Sequence, residues 1–322
     1  MSSTFFGLSI ASTGLNAFQA SINTTANNVS NAKTNGYSKQ TVNLSASSAL
    51  RTFEKYGSVG TGVTAASVTQ MRDIYYDQKY WTNQSNYGYY DKKNYYMQQI
   101  EGYYTDSAAN PGFSTIFGSM FDSMDQLQEN AGDTSVRNEV ISNAQKLTTY
   151  FNSTSERLSE LQGSVNDEIK TTVDTINSSA QKIGLLNKQI NVIEMQGGEA
   201  NELRDQRALI IDDLSKIVSV EVNEDKVVNS NYPDMNTGAT KFSLKVNGQT
   251  LVDNFNYRTM TTTARTEKYN QSDIDGLYDV AWADSGASID FKSDALTGSL
   301  KALFELRDGN DNGNVTGKAA AT

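Results

Sequence analysis

Leu158–Ile193 reads LSELQGSVNDEIKTTVDTINSSAQKIGLLNKQINVI, and its spacing decides the fold class. Leu158, Leu161, Val165, Ile176, Ile183, Ile190 and Ile193 mostly follow steps of three, four or seven residues. That recurrence gathers them on one stripe of an α-helix. Val136, Val140, Leu147 and Phe151 extend the stripe upstream. Residues 134–196 therefore read as one long helix or a pair, about 90 Å if continuous at a rise of 1.5 Å per residue. Gly197-Gly198 ends the stretch, and Asn201 is placed to cap a shorter helix to about Ile217. Only two prolines occur in 322 residues, which suits long uninterrupted helices.

Towards the C-terminus the period changes from helical to alternating. Val218-Ser-Val-Glu-Val222 alternates, and Asn247-Gly248 lies between apolar runs in Lys241–Val252, a type I′ hairpin signal. Leu277–Trp282 and Ile289–Phe291 are further strand candidates. Gly298–Arg307 returns to helix, and Asp308–Thr322 offers little to bury. Towards the N-terminus, Phe113, Ile116, Phe117, Met120, Met124 and Leu127 share one face of a helix over 113–130. Residues 69–105 read as a long Tyr-rich helix with Ile74 and Trp81 seven apart, ended by Pro111-Gly112. Residues 37–68 read as extended, with Gly57, Gly60 and Gly62 breaking any helix. The expected fold is mainly α with a β insert: a long-helix bundle or coiled-coil domain plus a smaller β domain. Its divisions are an assembly helix (1–36), an extended segment and helix bundle (37–224), a β insert (225–297) and the start of a return to helix (298–322).

At the N-terminus Leu8, Leu15, Ile22 and Val29 recur every seven residues, with Ala11, Phe18 and Thr25 three residues later. This is an a/d seam over residues 4–30, the pattern by which one helix packs on another. Burying Leu8, Leu15, Phe18, Ile22 and Val29 contributes about 8–15 kcal/mol gross, at 1.5–3 kcal/mol per side chain. Asn27, Asn28 and Asn31 then favour a turn, and Gly36 takes a positive φ at little cost.

These residues also carry a family likeness. Leu15–Gln40, LNAFQASINTTANNVSNAKTNGYSKQ, resembles the N-terminal motif of the bacterial flagellar axial proteins of rod, hook and hook-associated type. Leu15, Ala20, Ala26, Asn27, Asn28, Asn31, Thr34, Gly36 and Tyr37 carry the match. Val59–Arg72, VGTGVTAASVTQMR, resembles the family's Gly-x-Gly-Val stretch, and Asn201–Val222, NELRDQRALIIDDLSKIVSVEV, resembles a segment of its hook–filament junction branch. The resemblance implies a structural subunit that joins hook to filament by helix packing. It implies packing with hook protein, with a second junction protein and with itself in a ring, and export without a cleaved leader to an extracellular flagellum. It further implies a C-terminal helix paired with residues 4–30. No such heptad run follows Gly298, so the expectation is that the C-terminal part, and with it an export-chaperone site, is missing. Rival readings are another axial subunit (hook, rod or flagellin-like) or a secreted binding module or adhesin.

Composition narrows the chemistry. A net charge of −10 without a dense basic run argues against nucleic-acid binding. The absence of His and Cys removes His-dependent triads, thiol nucleophiles and the common zinc sites. No apolar run is long enough to span a membrane, and residues 1–7 lack the features of a Sec signal. Asp308, Asn310, Asn312 and Gly313 mimic the front of a calcium loop, but position 12 is Ala319. The tyrosines of 75–104 suit packing or subunit contact better than ligand stacking. Glu199, Glu202, Asp212 and Asp213 read as solvated helix-end charges. We therefore expect no catalytic residue, no cofactor, no metal, no nucleic-acid partner and no membrane insertion.

Overall fold

The structure is a computed structural model that describes residues 5–51, 57–107, 109–228, 236–291, 293 and 296–309. Six helices occur among the described residues: α1 (Phe6–Ser30), α2 (Ile74–Tyr103), α3 (Phe113–Glu129), α4 (Thr134–Glu194), α5 (Asn201–Ile217) and α6 (Ser299–Asp308). The strands are short and antiparallel. β1 (Gln40–Ala46) pairs with β4 (Val63–Gln70), and β2 (Leu50–Arg51) with β3 (Ser58–Val59). A four-stranded sheet follows in the order β5 (Val220–Val228), β6 (Asn236–Val246), β7 (Gln249–Asp253) and β8 (Asn256–Tyr257). β9 (Met260–Ala264) pairs with β10 (Tyr278–Trp282). The fold is thus mainly α with a β insert, and residues 134–194 form a single 61-residue helix.

The chain divides into two compact units. The first takes the described residues up to Asn83, Asn177–Ser215 and Val220–Thr259. In it Ala180, Ile183, Leu186 and Ile190 of α4 are buried, as are Ile211 and Leu214 of α5 and Phe242, Leu244, Leu251 and Val252 of the sheet. Two amides on the same α4 stripe tie the sheet down. Asn187 Nδ2 donates to Asn254 O at 2.7 Å, and Asn191 Oδ1 accepts from Thr240 N at 2.9 Å. Arg207 lies over the Phe242 ring and donates to Asn187 Oδ1 (2.8 Å) and Glu224 Oε2 (2.7 Å). Burying a guanidinium is tolerable only with such partners. Asn247 (φ 55°) and Gly248 (φ 68°) form the turn between β6 and β7, as the sequence indicates.

The second unit takes Gln84–Ile176, Lys216–Ser219 and the described residues from Met260 onward. Leu161, Val165, Ile169, Val173 and Ile176 are buried along α4, with Leu277, Val280 and Trp282, and Leu300, Leu303 and Phe304 of α6. Phe291 stacks on Phe304 with centroids 5.4 Å apart. Asn166 Oδ1 accepts from Tyr278 N (2.8 Å) and Arg307 Nη1 (2.9 Å). Asp308 takes both Arg307 and, at 2.6 Å, Arg265. Burial pushes the Asp308 carboxyl up, but the Arg307 hydrogen bonds and the charges of Arg307 and Arg265 outweigh it and hold the group below the usual aspartate range.

Several expectations are corrected. The helix over 69–105 starts only at Ile74, because the Asp73 carboxylate takes Tyr75 N at 2.9 Å. Asn201 is the first residue of α5 rather than the one before it, with Arg204 N donating to Ala200 O at 2.9 Å, and its Nδ2 donates to Val68 O at 2.6 Å. Ile289–Phe291 forms no strand: it meets β10 through the single bridge Ala281–Ser288, with Ile289 N donating to Val280 O at 3.1 Å, and the strand paired with β10 is the Thr-rich β9. The helix expected over 113–130 is present as α3, its stripe divided between half-buried Ile116, Met120 and Leu127 and exposed Phe113, Phe117 and Met124. Asp308 belongs to α6 and is buried rather than opening a solvated tail.

Ile183→Ala empties a fully buried site and is expected to lower stability by about 2–5 kcal/mol in urea unfolding. Asp308→Asn leaves two guanidinium groups uncompensated and is expected to cost about 3–5 kcal/mol at pH 7. Because the folded pKa of Asp308 is depressed, its contribution is complete above the unfolded value near 3.9 and is lost as pH falls through the folded one. Acid titrations should therefore show wild type and Asp308→Asn converging below about pH 4.

Candidate assembly surface

α1 has two dissimilar faces. One lies along β1 and β4 and carries Thr13, Gly14, Ala17, Ala20, Ser21 and Thr24, of which Ala17 is buried and the rest half-buried. Small side chains let a helix approach a two-stranded ribbon closely. The other face carries Leu8, Leu15, Phe18, Ile22 and Val29, which are 62–72% exposed, together with exposed Ala11 and Ala26. A contiguous apolar stripe of this kind marks an interaction surface. Among the described residues it stays open to solvent.

The turn after α1 is built from the asparagines. Asn28 acts as a clasp: its Nδ2 donates to Gln40 O (2.8 Å), and its Oδ1 accepts from Gln40 N (2.9 Å) and Tyr37 Oη (2.8 Å). Asn27 Nδ2 donates to the same Tyr37 Oη at 3.3 Å, Asn31 Nδ2 returns to Asn27 Oδ1 at 2.9 Å, and Thr34 Oγ1 donates to Asn31 Oδ1 at 3.1 Å. Gly36 has φ +78°, and a Cβ there would lie 3.3 Å from Leu209 Cβ. So the motif residues Asn27, Asn28, Asn31 and Tyr37 form one hydrogen-bonded cluster. Ala26 takes no part in it.

α5 anchors this cluster. Ser38 N donates to Asp205 Oδ2 (3.1 Å), Gln40 Nε2 to Glu202 Oε1 (3.3 Å) and Gln70 Nε2 to Asn201 O (2.7 Å). Burial raises the Asp205 pKa against the lowering effect of the Ser38 bonds. Burial, then Asp205 and Glu202, raise that of Tyr37. Sequence reasoning missed Gln40 and Asp205, and it read Glu202 as a solvated helix-end charge whereas Glu202 accepts from Gln40. Their partners lie more than a hundred residues away, and no local pattern flags them.

The other candidate sites stay dispersed. Tyr75, Tyr76, Tyr80, Tyr87, Tyr90, Tyr95 and Tyr104 are exposed, while Tyr89 donates to Glu305 and Tyr96 to Glu168. Asp212 is not a solvated charge, since its Oδ1 accepts from Trp81 Nε1 at 2.7 Å. The calcium-like loop lies outside the described residues from Asn310 onward, and its first ligand, Asp308, is held by arginines. Among the described residues there is no group of three or more Asp or Glu able to hold a metal. No helix there is long and apolar enough to cross a membrane.

Long helices, an apolar face of α1 left exposed and a clasped exit turn make this a mainly helical protein with one open apolar stripe. Comparison with known proteins is specific. Residues 97–318 match the flagellar hook-associated protein FlgK helical domain, and residues 8–37 the flagella basal body rod protein family. The chain belongs to the FlgK hook-associated family, whose members are structural proteins of the flagellum. It is 38% identical over 233 residues to flagellar hook-associated protein 1 of Bacillus subtilis, covering 70% of this chain and 45% of that protein. Against the Salmonella typhimurium protein of the same name it is 30% identical over 304 residues, covering 92% and 51%. The solved hook junction protein FlgK from Burkholderia pseudomallei shares the fold, with a TM-score of 0.53 at 24% identity over 72% of this chain and 38% of that one. The chain spans about half the length of the curated relatives it matches.

Asn28→Ala removes three hydrogen bonds at once and is expected to destabilise the turn by about 1–3 kcal/mol. Hydrogen exchange should locate the loss, with the Gln40 amide accelerating most and the amides of α5 least.

Proposed function

We propose that this chain is a structural subunit of the bacterial flagellum that joins hook to filament, and that it works by helix packing rather than chemistry. The observation that carries the reading is the bare seam of α1: Leu8, Ala11, Leu15, Phe18, Ile22 and Val29 line one face and stay exposed among the described residues. Covering them is worth about 8–15 kcal/mol gross, the same order as ordering two to three turns of a neighbouring helix at about 1–2 kcal/mol per residue. Membership of the hook-associated family supports the junction role. The names of the curated relatives support hook-associated proteins as the setting. On this reading the partners are hook protein on one side, a second junction protein on the other and neighbouring copies in a ring. The family motif, Ala26, Asn27, Asn28, Asn31, Gly36 and Tyr37, sets the direction in which the seam helix leaves the body. Export to the cell exterior without a cleaved leader completes the proposal.

The test is a double substitution, Leu15→Asp with Ile22→Asp, introduced into the gene of a flagellate cell. Both side chains are exposed, so the isolated chain should unfold within about 0.5 kcal/mol of wild type. The expected phenotype is hooks without filaments and loss of swimming. Normal filaments on the double variant would overturn the proposal.

A further inference from the structure

The second unit leaves an apolar face of α3 open, apart from the seam of α1. Phe113, Phe117, Phe121 and Met124, with Phe151 of α4, are 37–54% exposed. The rings form a row, with centroids 5.1 Å apart for Phe113 and Phe117, 4.8 Å for Phe117 and Phe121 and 5.9 Å for Phe113 and Phe151. Asn143 Nδ2 of α4 donates to Ser119 O of α3 at 3.1 Å, so the two helices lie side by side and antiparallel. With roughly 100 Å² open on each of five side chains, the patch measures about 500 Å², the size of functional patches on single proteins.

One flank of the row is acidic. At about 100° per residue, Phe113, Phe117, Phe121 and Met124 span about 80° of α3. Asp125, Glu129 and Asp122, all exposed, occupy the arc from about 120° to about 180°. α3 contains no Lys or Arg. Among the described residues none of these three carboxylates is held in an ion pair. Asp125 and Glu129 also stand at the C-terminal end of α3, where the helix dipole favours cations. The carboxylates therefore weaken α3 on its own, and cations laid along them would relieve that cost.

We propose that this face receives an amphipathic helix of a partner protein, with the partner's apolar stripe on the phenylalanine row and its Lys or Arg flank along Asp122, Asp125 and Glu129. A helix laid in an apolar groove is a recurrent mode of recognition, and the charged rim sets which helix is accepted. An acidic helix would meet like charge. A second copy of this chain would bring a net charge of −10 towards the same carboxylates.

The probe is a fluorescent amidated peptide as long as α3, 17 residues, with Leu at heptad positions a and d, Lys at e and g and Gln elsewhere. Its twin has Glu for every Lys. Anisotropy titration of the full chain should give saturable 1:1 binding of the Lys peptide with Kd below about 100 μM, and binding of the Glu twin at least about tenfold weaker. Added salt should narrow the gap. Phe121→Ser should weaken the Lys peptide about 3–10-fold. Asp122→Asn with Asp125→Asn and Glu129→Gln, all at exposed positions, should bring the two peptides within about threefold of each other. The control triple Asp167→Asn, Asp174→Asn and Glu221→Gln, also exposed, should leave the preference intact. Equal binding of the two peptides, or equal loss of preference in both triples, would overturn the proposal. So would loss of binding in the α1 variant Leu15→Asp with Ile22→Asp but not in Phe121→Ser, or self-association of the chain that Phe121→Ser abolishes.

Discussion

The structure around α1 depends on a steric division of labour. The ribbon of β1 and β4 accepts only the small face of the helix, Ala17 with Thr13, Ala20, Ser21 and Thr24 around it. Leucine or phenylalanine there would hold the two elements apart. With the small residues turned inward, the large ones have nowhere to go but outward. An ordinary amphipathic helix buries its bulk and shows its small polar face. This one does the reverse, turning its large apolar side chains outward, as the proposed packing role would require.

α4 solves a different problem. One buried stripe runs from Leu161 to Ile190, and it interrupts its aliphatic residues with Asn166, Asn187 and Asn191. Each amide meets a backbone group or an arginine from a neighbouring segment. Hydrophobic packing alone would hold a strand against a helix at any register that buries enough area. Amides that must be satisfied select one register, since sliding by a residue would leave them buried and unpaired.

Much of this was legible in the sequence. The seam, the hairpin turn at Asn247-Gly248 and the helical period of 134–194 are local patterns, and local patterns survive without tertiary context. Ile169, Val173 and Ala180 were overlooked on the same stripe, although they share its spacing. The strand Met260–Ala264 was missed because a run of threonines shows no apolar alternation. Ile289–Phe291 is not a strand because its pairing with β10 stops after one bridge, where Ile289 N donates to Val280 O, and Phe291 is then buried by stacking on Phe304. Of the site, the asparagine motif was visible but its clasping geometry was not. Nothing near Asn28 announces that Gln40 presents both backbone groups to it, or that Asp205, 167 residues from Ser38, supports the turn from behind.

The clasp at Asn28 also sets an angular tolerance. α1 is 25 residues long, about 37 Å at 1.5 Å per residue, and Asn28 sits at its far end from Leu8. A tilt of about 5° at the clasp would swing Leu8 through about 3 Å, close to the rise of two residues. A shift of that size would put a knob of the seam onto a ridge of a facing helix instead of into its hole. The three hydrogen bonds of one asparagine thus act as a protractor, fixing direction where length would otherwise amplify error.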